Sequence, residues 1–144
     1  MILSNINEDV IYTEVKELLR ELGFDFDNYG TMYLAETILA LYYSLSMCTT
    51  EKDIDTLYTF LLNNYSQFYK DVARNNNDMG IKSFLKRIES SMNNRFLNKK
   101  DMSLEKKLFN NNLTVFLMNC VNYLASKDET NTLVLKKTKN NNTR

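Results

Sequence analysis

Apolar positions recur along this chain with the period of a helix, and nowhere with the strict alternation of a half-buried strand. Val10, Ile11, Val15, Leu18, Leu19 and Leu22 mark one face of a segment over residues 8–22. Asn7 stands where an N-cap belongs, and Gly23 stands just past the end. A second helix is predicted from Thr31 to Ser46, where Met32, Tyr33, Leu34, Ile38, Leu39, Leu41, Tyr42 and Leu45 cover most of the circumference. A helix that is apolar nearly all round belongs in the middle of a domain. Thr49 and Thr50 then cap a third segment, residues 51–64, with Ile54, Leu57, Tyr58, Leu61 and Leu62 on one side.

A shorter segment, Ser66–Arg74, leads into the polar break NNNDMG at residues 75–80, and a longer helix is predicted over Ile81–Phe96. A short helix, a turn containing Gly80 and a longer helix follow the order of a helix-turn-helix unit. Residues 104–109 and 113–125 read as further helices divided by Asn110–Asn112, the second rich in apolar side chains such as Phe116, Val121 and Leu124. From Lys127 onward the chain is polar and basic, with Leu133–Leu135 as its apolar interruption. The asparagine triplets at 75, 110 and 140 have the character of turns and follow no long internal repeat. The pattern predicts an all-α protein, a compact helical domain of about six helices over residues 1–126 that contains a helix-turn-helix, followed by a flexible basic tail over 127–144.

Composition agrees. A chain of 144 residues that is 44% hydrophobic is one domain by length and buries about two thirds of its unfolded surface. It has no proline and three glycines, too little punctuation for a many-turned β fold. The N-terminus has no basic n-region and meets acidic residues within ten positions, so no signal peptide is expected and a cytoplasmic location is. Residues 32–48 are the most apolar run, but Glu36 interrupts it and it falls short of the roughly 20 residues a membrane span needs. No membrane partner is expected.

Chemistry narrows by elimination. Histidine is absent, which removes Ser-His-Asp and Cys-His nucleophile pairs, imidazole-ligated zinc and the usual neutral-pH general base. Cys48 and Cys120 are far apart and belong to no C-x-x-C pair, so two packed thiols are expected. The stretch FDFDNYGTMYLAE, residues 24–36, sets Asp25, Asp27, Gly30 and Glu36 at the first, third, sixth and twelfth positions of an EF-hand loop. Its fifth position is Tyr29, whose phenol is a poor ligand for a hard cation. No metal is expected there. A positive φ relieved by Gly30, and backbone hydrogen bonds to Asp25 or Asp27 near a helix start, account for the pattern instead. Nothing sets the ionisation of those two carboxylates apart, so the chain is not expected to be an enzyme and no cofactor is implied.

Charge is uneven although the formal net charge is zero: residues 1–70 hold four basic side chains against eleven acidic ones, so this half carries −7 and the remainder +7. Such asymmetry suits a half that faces a polyanion, or two halves that attract each other. At 100° per residue, Ile81, Leu85, Ile88, Met92 and Phe96 share one face of the predicted helix, while Ser83, Lys86, Arg87, Ser90 and Asn94 share the opposite one. Lys and Arg neutralise phosphates or pair with guanine edges, and Ser and Asn bond phosphates or bases. A merely solvated helix face would carry similar residues, and periodicity alone does not divide the two.

The stretch Glu21-Leu22-Gly23-Phe24, a gap to Gly30, then Tyr33-Leu34, Glu36 and Ile38 resembles the DNA-binding effector domain of the master regulator of sporulation initiation in endospore-forming bacteria. The likeness continues through Phe68-Tyr69-Lys70-Asp71-Val72-Ala73, similar to that family's scaffold helix, and through Ile81, Phe84, Leu85 and Ile88, similar to its recognition helix. Leu108-Phe109 and the last long helix also have counterparts, so the resemblance spans roughly residues 8–126. It implies a sequence-specific DNA-binding transcriptional regulator with double-stranded DNA as partner; a homodimer would fit helix-turn-helix practice, and the phosphoacceptor receiver domain that the family's response regulators carry is not expected here. The DNA-binding set is then Lys70, Arg74, Lys82, Ser83, Lys86, Arg87, Ser90, Asn94 and Arg95, with Lys99 and Lys100 beyond. The chain departs from the family in residues 48–60, which look inserted. It departs also at Gly80 and Ser83, which stand where the family's recognition helix is rich in arginine, and at Lys82, which replaces an acid. These departures keep open an alternative: a protein of the same fold, without DNA, that binds and titrates a regulatory or host protein partner.

Overall fold

The last turn of the first helix fixes the path of everything after it. In the computed structural model, which describes residues 8–63, 65–96 and 102–127, α1 spans Glu8–Glu21 and closes on Gly23, whose φ of +86° lets the chain reverse at once. The Gly23 amide donates to the Arg20 carbonyl at 3.0 Å and Phe24 to Leu19 at 2.9 Å, so the last carbonyls of α1 are satisfied. Among the described residues six further helices follow: α2 (Tyr29–Ser46), α3 (Glu51–Asn63), α4 (Tyr65–Asn75), α5 (Ile81–Asn93), α6 (Ser103–Leu108) and α7 (Leu113–Lys127). The fold is all-α, and no strand occurs among the described residues. Among them too, no helix is long and apolar enough to cross a membrane. The expected cap Asn7, the cations Lys99 and Lys100, and the tail beyond Lys127 with Leu133–Leu135 lie outside the described residues.

α2 is the hub, as its apolar circumference predicts. It packs on α1, α3, α4, α5 and α7, and Leu34, Ala35, Ile38, Leu41, Tyr42 and Leu45 lose all contact with solvent. Two of its buried hydroxyls turn back onto the helix: Thr37 donates to the Tyr33 carbonyl at 2.7 Å and Ser46 to Tyr43 at 2.6 Å. α7 closes the opposite side with Phe116, Leu117, Cys120 and Val121, and Phe116 meets Phe24 and Phe109 at ring-centroid distances of 6.0 and 5.2 Å. Burial pushes the Cys120 thiol well above its ordinary range. α3 is tied to α7 by the Tyr58 hydroxyl, which donates to Asn122 at 2.6 Å, and α6 by Asn119, which donates to the Leu108 carbonyl at 3.0 Å.

The loop that resembled a calcium site is a helix cap. Asp25 accepts from the Asp27 amide at 2.9 Å, and Asn28, the N-cap of α2, accepts from Gly30 at 2.8 Å. Helix α2 already begins at Tyr29, so too little loop remains to wrap an ion. Gly30 corrects another expectation, since its φ is not positive. It is a glycine because α5 crosses directly above it: a Cβ there would lie 1.9 Å from the Arg87 carbonyl oxygen.

Candidate nucleic-acid interface

α4 buries Tyr69, Val72 and Ala73, positions i, i+3 and i+4 on one face, and this turns Lys70 and Arg74 outward. The chain then bends through Asn77 and Asp78, both at positive φ (63° and 50°), a conformation these two residue types tolerate better than most. Asn76 donates its side-chain amide to the Val72 carbonyl at 2.8 Å, and the Met79 amide reaches the Ala73 carbonyl at 3.0 Å, closing the end of α4. Gly80 is the N-cap of α5 and supplies no side-chain bond.

α5 inserts Phe84, Ile88, Ser91 and Met92 into the core, with Ile81 and Leu85 half-buried beside them. Tyr33 and Phe84 meet at 5.4 Å between ring centroids, and the Ser91 hydroxyl is satisfied by the Ile88 carbonyl at 2.7 Å. This inner face fixes the rotation of the helix, which leaves Lys82, Ser83, Lys86, Arg87 and Ser90 exposed. Among the described residues, none of Lys70, Arg74, Lys82, Lys86 and Arg87 forms an ion pair. Ser90 and Asn94 are exposed but hold each other, Asn94 donating to the Ser90 hydroxyl at 3.3 Å. Exposed Glu89, which the sequence reading passed over, sits on the same helix, with exposed Asp71 and Asp78 nearby in the chain. The helical spacing of Glu89 from Lys86 was the signal that could have found it.

Two expectations need correction. The helix stops at Asn93, and Phe96 is 81% exposed instead of continuing the apolar face. The cause is a second close approach: the Phe96 amide donates to the Gly23 carbonyl at 2.7 Å, pulling residues 95–96 out of helical geometry and across the end of α1. A Cβ at Gly23 would meet the Phe96 carbonyl oxygen at 1.9 Å, so this crossing needs a glycine.

Arg95 is the second correction. Its guanidinium makes a bidentate pair with Glu105, donates to the Leu22 carbonyl at 3.0 Å and lies 3.4 Å from the centre of the Phe109 ring. With side-chain exposures of 9% and 16% for the two partners, this pair is a strut that ties the segments just past α1 and α5 to α6 and no phosphate contact. The exposed set is therefore Lys70, Arg74, Lys82, Ser83, Lys86, Arg87, Ser90 and Asn94, carried by α4, by α5 packed against it and, for Asn94, by the C-cap of α5. Among the described residues no group of three or more metal-binding side chains comes together. No protein-family model, curated protein or solved structure matches the chain.

Proposed function

We propose that this protein binds double-stranded DNA and acts as a transcriptional regulator, with α4, the bend at 76–80 and α5 serving as a helix-turn-helix and α5 as the recognition helix. The resemblance to the sporulation-regulator effector domain motivates the proposal. The observation that carries it is the set of five exposed cations on α4 and α5 without an internal ion-pair partner among the described residues. Cations left facing water are the groups that release counterions from a duplex. Lys86 and Arg87 would stand nearest the base edges, Ser83 and Ser90 beside them, and Lys70 and Arg74 would grip the flanking phosphates. One short helix reads few base pairs, so a homodimer on repeated half-sites completes the reading. The role is recognition without catalysis.

Binding of labelled duplexes at several salt concentrations tests it. The double variant Lys86→Glu, Arg87→Glu should lose most of its affinity and lower the salt slope by about two units. Unchanged affinity would remove α5 from the interface. A second reading, a protein that captures a regulatory or host partner, draws on the exposed apolar side chains Phe60 and Leu62 of α3. A stoichiometric protein complex, together with no duplex binding at low salt, would favour it.

A further inference from the structure

α5 and α7 both pack on α2, and a cleft of about 520 Å³ opens between the flank of α5 and the first turn of α7. Its volume falls in the range of small-molecule sites. Leu85, Met92 and Leu113 contribute apolar wall. Tyr69 and Thr114 also line it, both buried, and their hydroxyls hold each other at 2.9 Å, which fixes α4 to α7 there. Among the residues lining the cleft, Glu89 is the one that carries a formal charge, and no lysine or arginine joins it. The amide side chains of Asn93 and Asn112 supply neutral donors and acceptors at the rim.

We propose that this cleft binds a small molecule with an apolar body and a protonated amine, the amine paired with Glu89 and the body lying against Leu85, Met92 and Leu113. The charge makes the choice of class. An anion entering here would meet a carboxylate with no cation in the lining to offset it, whereas an ammonium gains a charge-assisted hydrogen bond. Glu89 is exposed, so the gain from the ion pair is modest, about three-fold in affinity, and contact with Leu85, Met92 and Leu113 together with the rim amides supplies the rest. The site does not depend on the DNA reading, and its test contains no DNA, so the two proposals fail separately.

The test is an amide-resolved NMR titration of the full chain with three probes of one shape: phenethylammonium, phenethyl alcohol and phenylacetate. The ammonium should shift the signals of Glu89, Asn93 and Thr114 saturably and bind about three-fold more tightly than the alcohol, with phenylacetate weakest. Glu89→Gln should bring the ammonium and the alcohol to equal affinity while leaving the alcohol unchanged. Asn93→Trp, an exposed rim position that can be filled without touching the core, should weaken all three probes. Far-ultraviolet circular dichroism establishes that both variants fold. Absence of shifts at the cleft with the ammonium, equal binding of all three probes to the wild type, or an ordering that survives Glu89→Gln would each overturn the proposal.

Discussion

Replacing Gly30 with alanine tests the placement of α5 more sharply than any surface change. The added Cβ would lie 1.9 Å from the Arg87 carbonyl oxygen, whereas close carbon–oxygen contacts settle near about 3.3 Å, so α2 and α5 must separate by roughly 1.4 Å. Neither group can swing aside, because one is attached to backbone and the other is backbone. Overpacking of this kind costs about 1–3 kcal/mol. The separation also disturbs the Tyr33–Phe84 ring pair at 5.4 Å, which contributes about 0.5–1.5 kcal/mol. Against this, alanine improves helix propensity over glycine by at most about 1 kcal/mol, and by less in a first turn. The expected net loss is about 2 kcal/mol, read as a lower urea midpoint by far-ultraviolet circular dichroism. Gly80→Ser is the control, since Gly80 has open space around it and an extended N-cap conformation at φ −67°. A hydroxyl there should add a few tenths of a kcal/mol. If Gly30→Ala is as stable as the wild type, the close crossing is wrong and the outward face assigned to α5 goes with it.

Arg95→Met should cost roughly 2–4 kcal/mol, because Glu105 is left partly buried beside Phe109 with no cation, and adding Glu105→Gln should recover part of the loss in the same urea experiment. The salt slope of duplex binding should not change in that variant, whereas Lys86→Gln should lower it by about one unit without altering the urea midpoint. Asp53 accepts from the amide and hydroxyl of Thr49 and from the amide of Thr50, which holds its carboxyl below the ordinary value of 3.8. A depressed folded-state value stabilises above the unfolded one and is lost as pH falls through it. The stability gap between wild type and Asp53→Asn should therefore hold from neutrality to about pH 4 and close only below it. Cys120 is wholly buried with its thiol pushed up, so an aromatic disulfide reagent should modify it only at the rate of unfolding; fast modification in buffer would contradict its place in the core.

The fold was legible wherever a residue's environment follows from its near neighbours. Periodicity located α1 to α4 and α7, and the apolar circumference of α2 announced a central helix. Thr50 and Asp53 cap each other at the start of α3, and the break at Asn110–Asn112 became the cap of α7, where Asn112 accepts from the Val115 amide at 3.2 Å. What stayed hidden depends on distant partners. Gly30 meets residue 87 and Gly23 meets residue 96, crossings that no local window contains. Gly23 has the positive φ that a helix end explains locally, whereas Gly30 has none and owes its place to a helix passing overhead, which no local pattern contains.

The candidate site divides the same way. Helical spacing sets Arg87 opposite the apolar stripe and Arg95 at the edge of it, but spacing does not say what Arg95 meets there. The partners of Arg95 lie ten residues ahead at Glu105 and 73 residues back at Leu22, so its commitment to the interior is a property of the folded chain. Arg87 has the opposite arrangement. Its carbonyl is held over Gly30 while its side chain is exposed. The rotation that exposes the cations of α5 is therefore set by contacts on its inner side, at Gly30, Phe84 and Ser91. A change to that inner side should weaken folding and duplex binding together, and a change to the charges outside should weaken duplex binding alone. Comparing Gly30→Ala with Lys86→Gln in both assays separates a helix built to present its charges from one that is only solvated by them. If Lys86→Gln leaves duplex binding and its salt slope untouched, the charges of α5 are solvating residues and the recognition reading fails.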